Sequence, residues 1–271
     1  MQLTVNHVTT YRYGQPVRGV VQSHRLLPSV HEGQKVLDWA VTVSDGLMGG
    51  SYRDGSGDLV QAWTVTGPVS EVTVTVKGTV ETKDTSGILR SYRETVPPGA
   101  YLRGTPSTEL DAGLRALAEG VSAEDTLAIA HALSAAVADA ILYSPGTTHA
   151  HTTAAESLAL GQGVCQDHAH ALIACARVHG MPGRYVSGYL FATEDGSAHE
   201  AAHAWAELHV KGLGWVGFDP ANHCCPDDRY IRLGSGVDAQ TAAPIRGIAR
   251  GLTEAAPEAL DVSLTVLAGA Q

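Results

Sequence analysis

Apolar and polar positions alternate with a period of two through the first third of the chain. Leu3 to Tyr13, Val36 to Val43, Leu59 to Val65 and Val69 to Val80 each read as a strand, separated by turns that contain Gly, Pro and Asp. Val72, Val74 and Val76 interleave with Thr73 and Thr75, the pattern of a sheet covered on one side and solvated on the other. Residues 1–85 are therefore expected to form a β-rich N-terminal accessory domain. Lys83 to Gly87 and Val96 to Ala100 are polar or Pro/Gly breaks, and the boundary falls near one of them. Residues 86–271 are left as a second domain that carries a C-terminal strand.

The hydrophobic period then lengthens to that of helices. One helix follows Thr105-Pro106-Ser107 and ends near Gly120; a second, rich in alanine, is capped by Ser122 with Asp125 and runs to about Leu142. Its His131 sits amid alanines and reads as structural. Thr153 with Glu156 forms a capping box, so a short helix is expected from Ala154 to Leu160, stopped at Gly161. After the permissive turn Gly161-Gln162-Gly163, Cys165 opens another helix that runs to His179, with Ala169, Leu172, Ile173 and Ala176 as its buried stripe. The helix entry gives this thiol a chemistry. It lies at the positive end of the helix dipole, among N–H groups that lack a partner, which favours thiolate over thiol and offers donors to an oxyanion. The alternative is a small buried hydrophobe, and only a base elsewhere in the chain decides between them.

Candidate bases lie on a hairpin. Ala202 to Val210 alternates, putting His203, Trp205, Glu207 and His209 on one face and Ala204, Ala206, Leu208 and Val210 on the other. Lys211 to Gly214 is turn chemistry, and the return strand Trp215 to Asp219 ends at Pro220. An odd-numbered loop would oppose His203 directly to Asp219, with Cβ atoms about 4.5–5.5 Å apart, and Glu207 to Trp215. An even loop would send the pair to opposite faces.

The segments GVCQDHAHALIACARVHGMPGRYVSGYL, AAHAWAELHV and GWVGFDPANH, in this order, resemble the transglutaminase-like superfamily. They are closest to the bacterial branch described as transglutaminase-like cysteine proteases. The resemblance is strong over Tyr143 to Asn222 and weaker over the N-terminal region and the tail at Pro244 to Gly247. It implies an α+β fold: a papain/transglutaminase-like catalytic domain, its Cys-bearing helix packed on an antiparallel sheet, preceded by the β-rich domain. By motif it makes Cys165 the nucleophile, His203 the base and Asp219 the residue that orients the base. The implied reaction is acyl transfer on the amide bonds of a peptide or protein through a thioester, ending in hydrolysis or in transfer to an amine. The second oxyanion donor, or a group on the cleft wall, is open among Gln162, Tyr143 and Trp205, and Gln162 resembles the glutamine that precedes the nucleophile in papain-type enzymes. The loop Tyr143 to His151 could supply one wall of the cleft.

Composition narrows the partners. A formal net charge of −10 disfavours nucleic acid and anionic membranes. The first residues show no basic and apolar leader pattern, no run of about 18 apolar residues follows, and four cysteines form no disulfide framework. A cytoplasmic location without membrane contact is expected. His168 and His170, His149 and His151, His199 and His203, and His223-Cys224-Cys225 have the donor types of a zinc site. Helical residues two apart point away from each other, however, and neither C-x2-C nor H-E-x-x-H occurs. No metal or cofactor is expected, which sets a metal-dependent hydrolase behind the thiol reading. A noncatalytic interaction module on the same fold would be expected to have lost one of Cys165, His203 and Asp219, and all three are present.

Overall fold

The structure is a computed structural model that describes residues 1–191, 202–251 and 258–269. In chain order the strands β1 (Gln2–His24), β2 (Gln34–Val43), β3 (Gly46–Arg53) and β4 (Leu59–Thr82) come first. Helices α1 (Ala112–Glu119) and α2 (Thr126–Ala140), strand β5 (Leu142–Tyr143), α3 (Ala154–Leu160), β6 (Gln162–Gly163) and α4 (Cys165–Val178) follow. The chain closes with β7 (Gly183–Leu190), β8 (Ala202–Val210), β9 (Gly214–Phe218), β10 (Tyr230–Gly236), β11 (Ile245–Arg250) and β12 (Glu258–Ala268).

The first sheet is built on β1 and β4, which pair antiparallel almost from end to end. The alternating valines do what their period requires: Val72, Val74, Val76 and Val80 are buried against Leu3, Val5 and Val20. β2 and β3 flank β4, while β11 and β12 flank β1. The last point corrects the expected division of the chain. The two strands after residue 244 are hydrogen-bonded to β1, so both ends of the chain build the first sheet and residues 86–271 do not form one continuous unit. Periodicity along a sequence reports that a segment is a strand, not which sheet it joins.

The second sheet has the order β10-β7-β8-β9, antiparallel throughout. α4 packs on it, and Ala169, Leu172, Ile173 and Ala176 meet Ala204, Ala206, Leu208 and Val210 in one core that α1 and α2 complete. Small alanines on both partners let helix and sheet approach closely. Burial goes further than a stripe, because every residue from Asp167 to Cys175 is buried, two histidines and a carboxylate included. At α2 the cap is Asp125 alone, its side chain accepting the Ala128 N–H, and the helix starts one residue after it.

Tyr189, Ile231 and Leu233 of the second sheet are buried instead with the valines of the first, and His7 Nδ1 lies 2.8 Å from Tyr189 Oη. Beside this apolar contact is an ionic one. Glu207 accepts from Arg184 Nε at 2.7 Å and from Arg232 Nε at 2.9 Å. Arg232 also donates to Asp58 at 2.9 Å and Ser29 at 2.7 Å, while Asp58 takes the N–H and hydroxyl of Ser235. Arg184 reaches Glu94 and stacks 4.1 Å over Trp215. All of Arg184, Arg232, Glu207 and Asp58 are buried. Burial acts to raise the Glu207 carboxyl, and the charges of Arg232 and Arg184 overcome it, holding the group at about 2.

Glu207→Ala should therefore destabilise the fold by about 3–5 kcal/mol, because two buried guanidiniums would lose their shared counter-charge. The folded-state carboxyl lies below its unfolded value, so the contribution is complete above about pH 4.5 and is lost as pH falls through about 2. Urea unfolding of both proteins at several pH values measures this; a loss under about 1 kcal/mol at pH 7, the size of an exposed pair, would contradict it.

Candidate active site

Cys165 occupies the first position of α4, directly after Val164, whose backbone is extended. The turn that delivers it is held from beneath. Asp167 Oδ2 accepts the Val164 N–H at 2.8 Å and the Thr148 hydroxyl at 2.6 Å, and Gly163 leaves the room, since a Cβ there would come within 2.7 Å of Asp167. β6 pairs with β5 just before the helix and fixes its direction. Asp167 escaped the sequence reading, although its spacing three residues after the N-cap is a capping signal.

The hairpin of β8 and β9 closes with the three-residue loop Lys211-Gly212-Leu213, and its register runs from Val210↔Gly214 to Ala206↔Phe218. The loop is odd, yet it is centred one residue later than direct opposition of His203 and Asp219 needs. Gly212 and Gly214, at φ 87° and 84°, are the residues that let it turn there. Glu207 thus faces Gly217, His209 faces Trp215, and Asp219 falls two residues short of the position opposite His203. Pro220 ends the strand and starts a 3-10 turn capped by Asp219, and the carboxylate crosses diagonally. Asp219 Oδ2 lies 2.6 Å from His203 Nε2. Cys165 acts on the same imidazole, helping Asp219 to raise it, and the Asp219 contact leaves Nδ1 as the second ring nitrogen.

Burial pushes the His203 imidazole down, but its hydrogen bonds to Asp219 and Cys165 outweigh this and raise it to about 10. Asp219 is fully buried; burial acts to raise it, and bonding to His203, Asn222 and Tyr230 brings it below the usual carboxylate range. Neither Asn222 nor Tyr230 was a candidate from the sequence. Asn222 had a local signal, three residues after the Asp of an Asp-Pro; Tyr230 had none, since only the pairing of β10 with β7 brings it near.

A cavity of about 700 Å³ opens over Cys165 and His203. Tyr185, Ser187 and Ala204 of the sheet, Ala239, Gln240, Ala243 and Pro244, and Ala150, His151 and Thr153 contribute to its walls. Part of the loop ahead of α3 is thus a wall. Gln162, Tyr143 and Trp205 do not line it. Gln162 is drawn back into the pairing with Leu142, Tyr143 stands 6.4 Å from the ring of His168, and Trp205 is buried against Val186 and Tyr230. The remaining imidazoles have other work. His168 sits between the carbonyls of Val164 and Ile141 at 2.9 and 2.7 Å, and His170 Nε2 accepts the Ala239 N–H at 3.0 Å. Among the described residues no group of three or more His, Cys, Asp or Glu is arranged to hold a metal ion; His199 lies outside them.

A helix N-terminal thiol, an imidazole and a buried carboxylate on this α+β scaffold define the class of papain/transglutaminase-like, thiol-dependent enzymes. The chain belongs to the transglutaminase-like superfamily: that family's model matches residues 115–220, and the bacterial transglutaminase-like N-terminal region matches 3–81. Uncharacterized protein ML0607 of Mycobacterium leprae (strain TN) is 30% identical over 274 residues, spanning 93% of this chain and 95% of that protein. Uncharacterized protein Rv2569c of Mycobacterium tuberculosis (strain ATCC 25618 / H37Rv) is 30% identical over 292 residues, 97% of this chain and 91% of that one. The fold also matches the crystal structure of a candidate cysteine protease from Cytophaga hutchinsonii, with a TM-score of 0.72 at 21% identity over 100% of this chain and 92% of that one. No helix among the described residues is long and apolar enough to cross a membrane.

The four free thiols differ in setting. Burial pushes Cys175 up to about 12 and Cys225 to about 11, and raises Cys224 as well. Cys165 alone is paired with an imidazole. Iodoacetamide at pH 7 should therefore alkylate Cys165 on the order of tenfold or more faster than the others in the folded protein, read by site-resolved mass spectrometry. Equal rates at all four would contradict the pairing.

Proposed function

We propose that the protein is a cysteine-dependent acyl-transfer enzyme acting on amide bonds of peptides or proteins, with Cys165 as nucleophile, His203 as general base and acid, and Asp219 as the group that orients the imidazole. The observation that carries this is His203 set between Cys165 and Asp219: both act on its imidazole, Asp219 Oδ2 lies 2.6 Å from its Nε2, and Cys165 and His203 line the same cavity. His203 takes the thiol proton and the thiolate attacks the amide carbonyl carbon. The oxyanion that forms points to the first N–H groups of α4, those of Cys165 and Gln166, which lack i−4 carbonyls. One such donor is commonly worth about 3–4 kcal/mol. The His203 imidazolium then protonates the leaving amine as the C–N bond breaks, and a thioester remains.

The second half reverses the roles. His203 removes a proton from water or from an amine, that nucleophile attacks the thioester, and the Cys165 sulfur departs. Water gives hydrolysis and an amine gives transglutaminase-type transfer. The apolar walls of the cavity favour hydrolysis of a bond flanked by an uncharged side chain. Asp219 acts without accepting the proton: with His203 Nε2 held, Nδ1 is the nitrogen that exchanges it. A nucleophile that must stay reduced, and four cysteines that are all free, suit a cytoplasmic setting.

Cys165→Ala and His203→Ala should each abolish turnover of amide substrates with the fold retained, and the double variant should lose little more than either single one. Asp219→Asn should be milder, though still down by roughly 10³–10⁴ in kcat if the tautomer is what it controls. Turnover of a peptide library, read by mass spectrometry of products and of the trapped thioester, measures all four. Additive losses in the double variant would place the two residues in separate steps.

A further inference from the structure

We propose that Tyr230 is a positioning residue that fixes the Asp219 carboxylate, and through it the imidazole of His203, in the orientation that Cys165 requires; this rests on the reading of those three residues given above. Asp219 is fully buried, and three side-chain donors converge on its Oδ2: His203 Nε2 at 2.6 Å, the Tyr230 hydroxyl at 2.8 Å and Asn222 Nδ2 at 2.8 Å. Its Oδ1 takes only a long bond, 3.3 Å, from the Asn222 backbone N–H among the described residues. The two oxygens of a free carboxylate are equivalent. Here one plane of the carboxylate brings an oxygen to all three donors, and a quarter-turn about Cβ–Cγ would carry that oxygen away from them.

Two of the three donors cannot set that rotation by themselves. Asn222 belongs to the same short turn as Asp219 and moves with it, and His203 is the group to be positioned. Tyr230 comes from elsewhere, on β10, which pairs with β7 through Tyr230↔Leu190. Its ring is held edge-on against Trp205, with centroids 5.4 Å apart and planes at 84°, and Trp205 in turn lies nearly parallel to His203. The phenol has one proton and two acceptors in reach, Asp219 Oδ2 and the Cys224 sulfur at 3.3 Å. An ionised carboxylate is much the stronger acceptor, so the hydroxyl donates to Asp219 and the Cys224 thiol donates to the phenol oxygen. A rigid strand therefore carries the one external reference against which the carboxylate is aligned.

The test uses the full chain with iodoacetamide as probe, following the Cys165 alkylation rate against pH in the wild type, in Tyr230→Phe and in Cys224→Ala. Removing a donor from the ionised carboxylate makes Asp219 protonate at higher pH, and the imidazolium then loses its counter-charge sooner as the pH falls. The acid limb of Tyr230→Phe should move to higher pH, with the rate on that limb about three- to tenfold below wild type, the worth of one such bond. Cys224→Ala keeps the phenol on Asp219 and should leave the limb in place. Replacing Tyr230 with 3-fluorotyrosine keeps the shape and strengthens the donor, so the limb should move to lower pH; this arm stands even where the phenylalanine variant folds poorly. Profiles of both Tyr230 variants that superimpose on an enhanced wild-type rate would overturn the role of Tyr230 alone. A wild-type Cys165 no faster than Cys175 would overturn the catalytic reading and this proposal with it.

Discussion

A glutamate held between two arginines inside the protein sets the terms for everything around it. Glu207, Arg184 and Arg232 come from three adjacent strands of the second sheet, and Asp58, which neutralises the far end of Arg232, comes from the loop ahead of β4 in the first. Charges this deep are tolerated only when each finds its partners, so the residues that supply them cannot shift independently. Gln34 shows how tight the arrangement is: its amide accepts the Arg232 N–H and donates to the Arg232 carbonyl, one side chain standing in for a strand. The two sheets are thereby held in one orientation. An apolar contact alone would hold them together with far less directional preference.

The candidate site lies on the same strand as Glu207, four residues earlier. β8 presents the network at its middle and His203 at its start, while the alanines of its other face receive α4, which brings Cys165. The strand that fixes the two sheets also fixes the imidazole relative to the thiol. Asp219 follows directly on β9 and Tyr230 opens β10, so Cys165, His203, Asp219 and Tyr230 are delivered by four different elements of one packed unit. Loops contribute chiefly the walls of the cavity, where variation costs least.

Much of this was legible in the residue pattern. The capping box at Thr153, the glycines around Cys165 and the alternation of Ala202 to Val210 are local signals, and local geometry obeys them. What failed was whatever depends on the placement of a turn by one residue or on contacts distant in the chain. The odd loop kept His203 and Asp219 on one face, but its centre at Gly212 moved the partner by two positions. Glu207, placed by alternation on the face of His203 and nothing more, is the centre of the ionic contact, because Arg184 and Arg232 leave no periodic trace that marks them as buried. A C-terminal strand is expected in the second domain, and no pattern in Ile245 to Arg250 names β1 as a partner.

That return of the chain has a consequence for how the protein comes into being. β1 emerges from the ribosome long before its partner β12, with which it pairs Leu3 to Ala268. Contacts of such long separation form late, since the loop they close must lose its freedom before any pairing repays it. The helices and the second sheet, whose partners lie close together in the sequence, can collapse while one edge of β1 is still open. During that interval an unpaired strand edge is exposed to neighbouring nascent chains. Synthesis of β11 and β12 is the event that covers it.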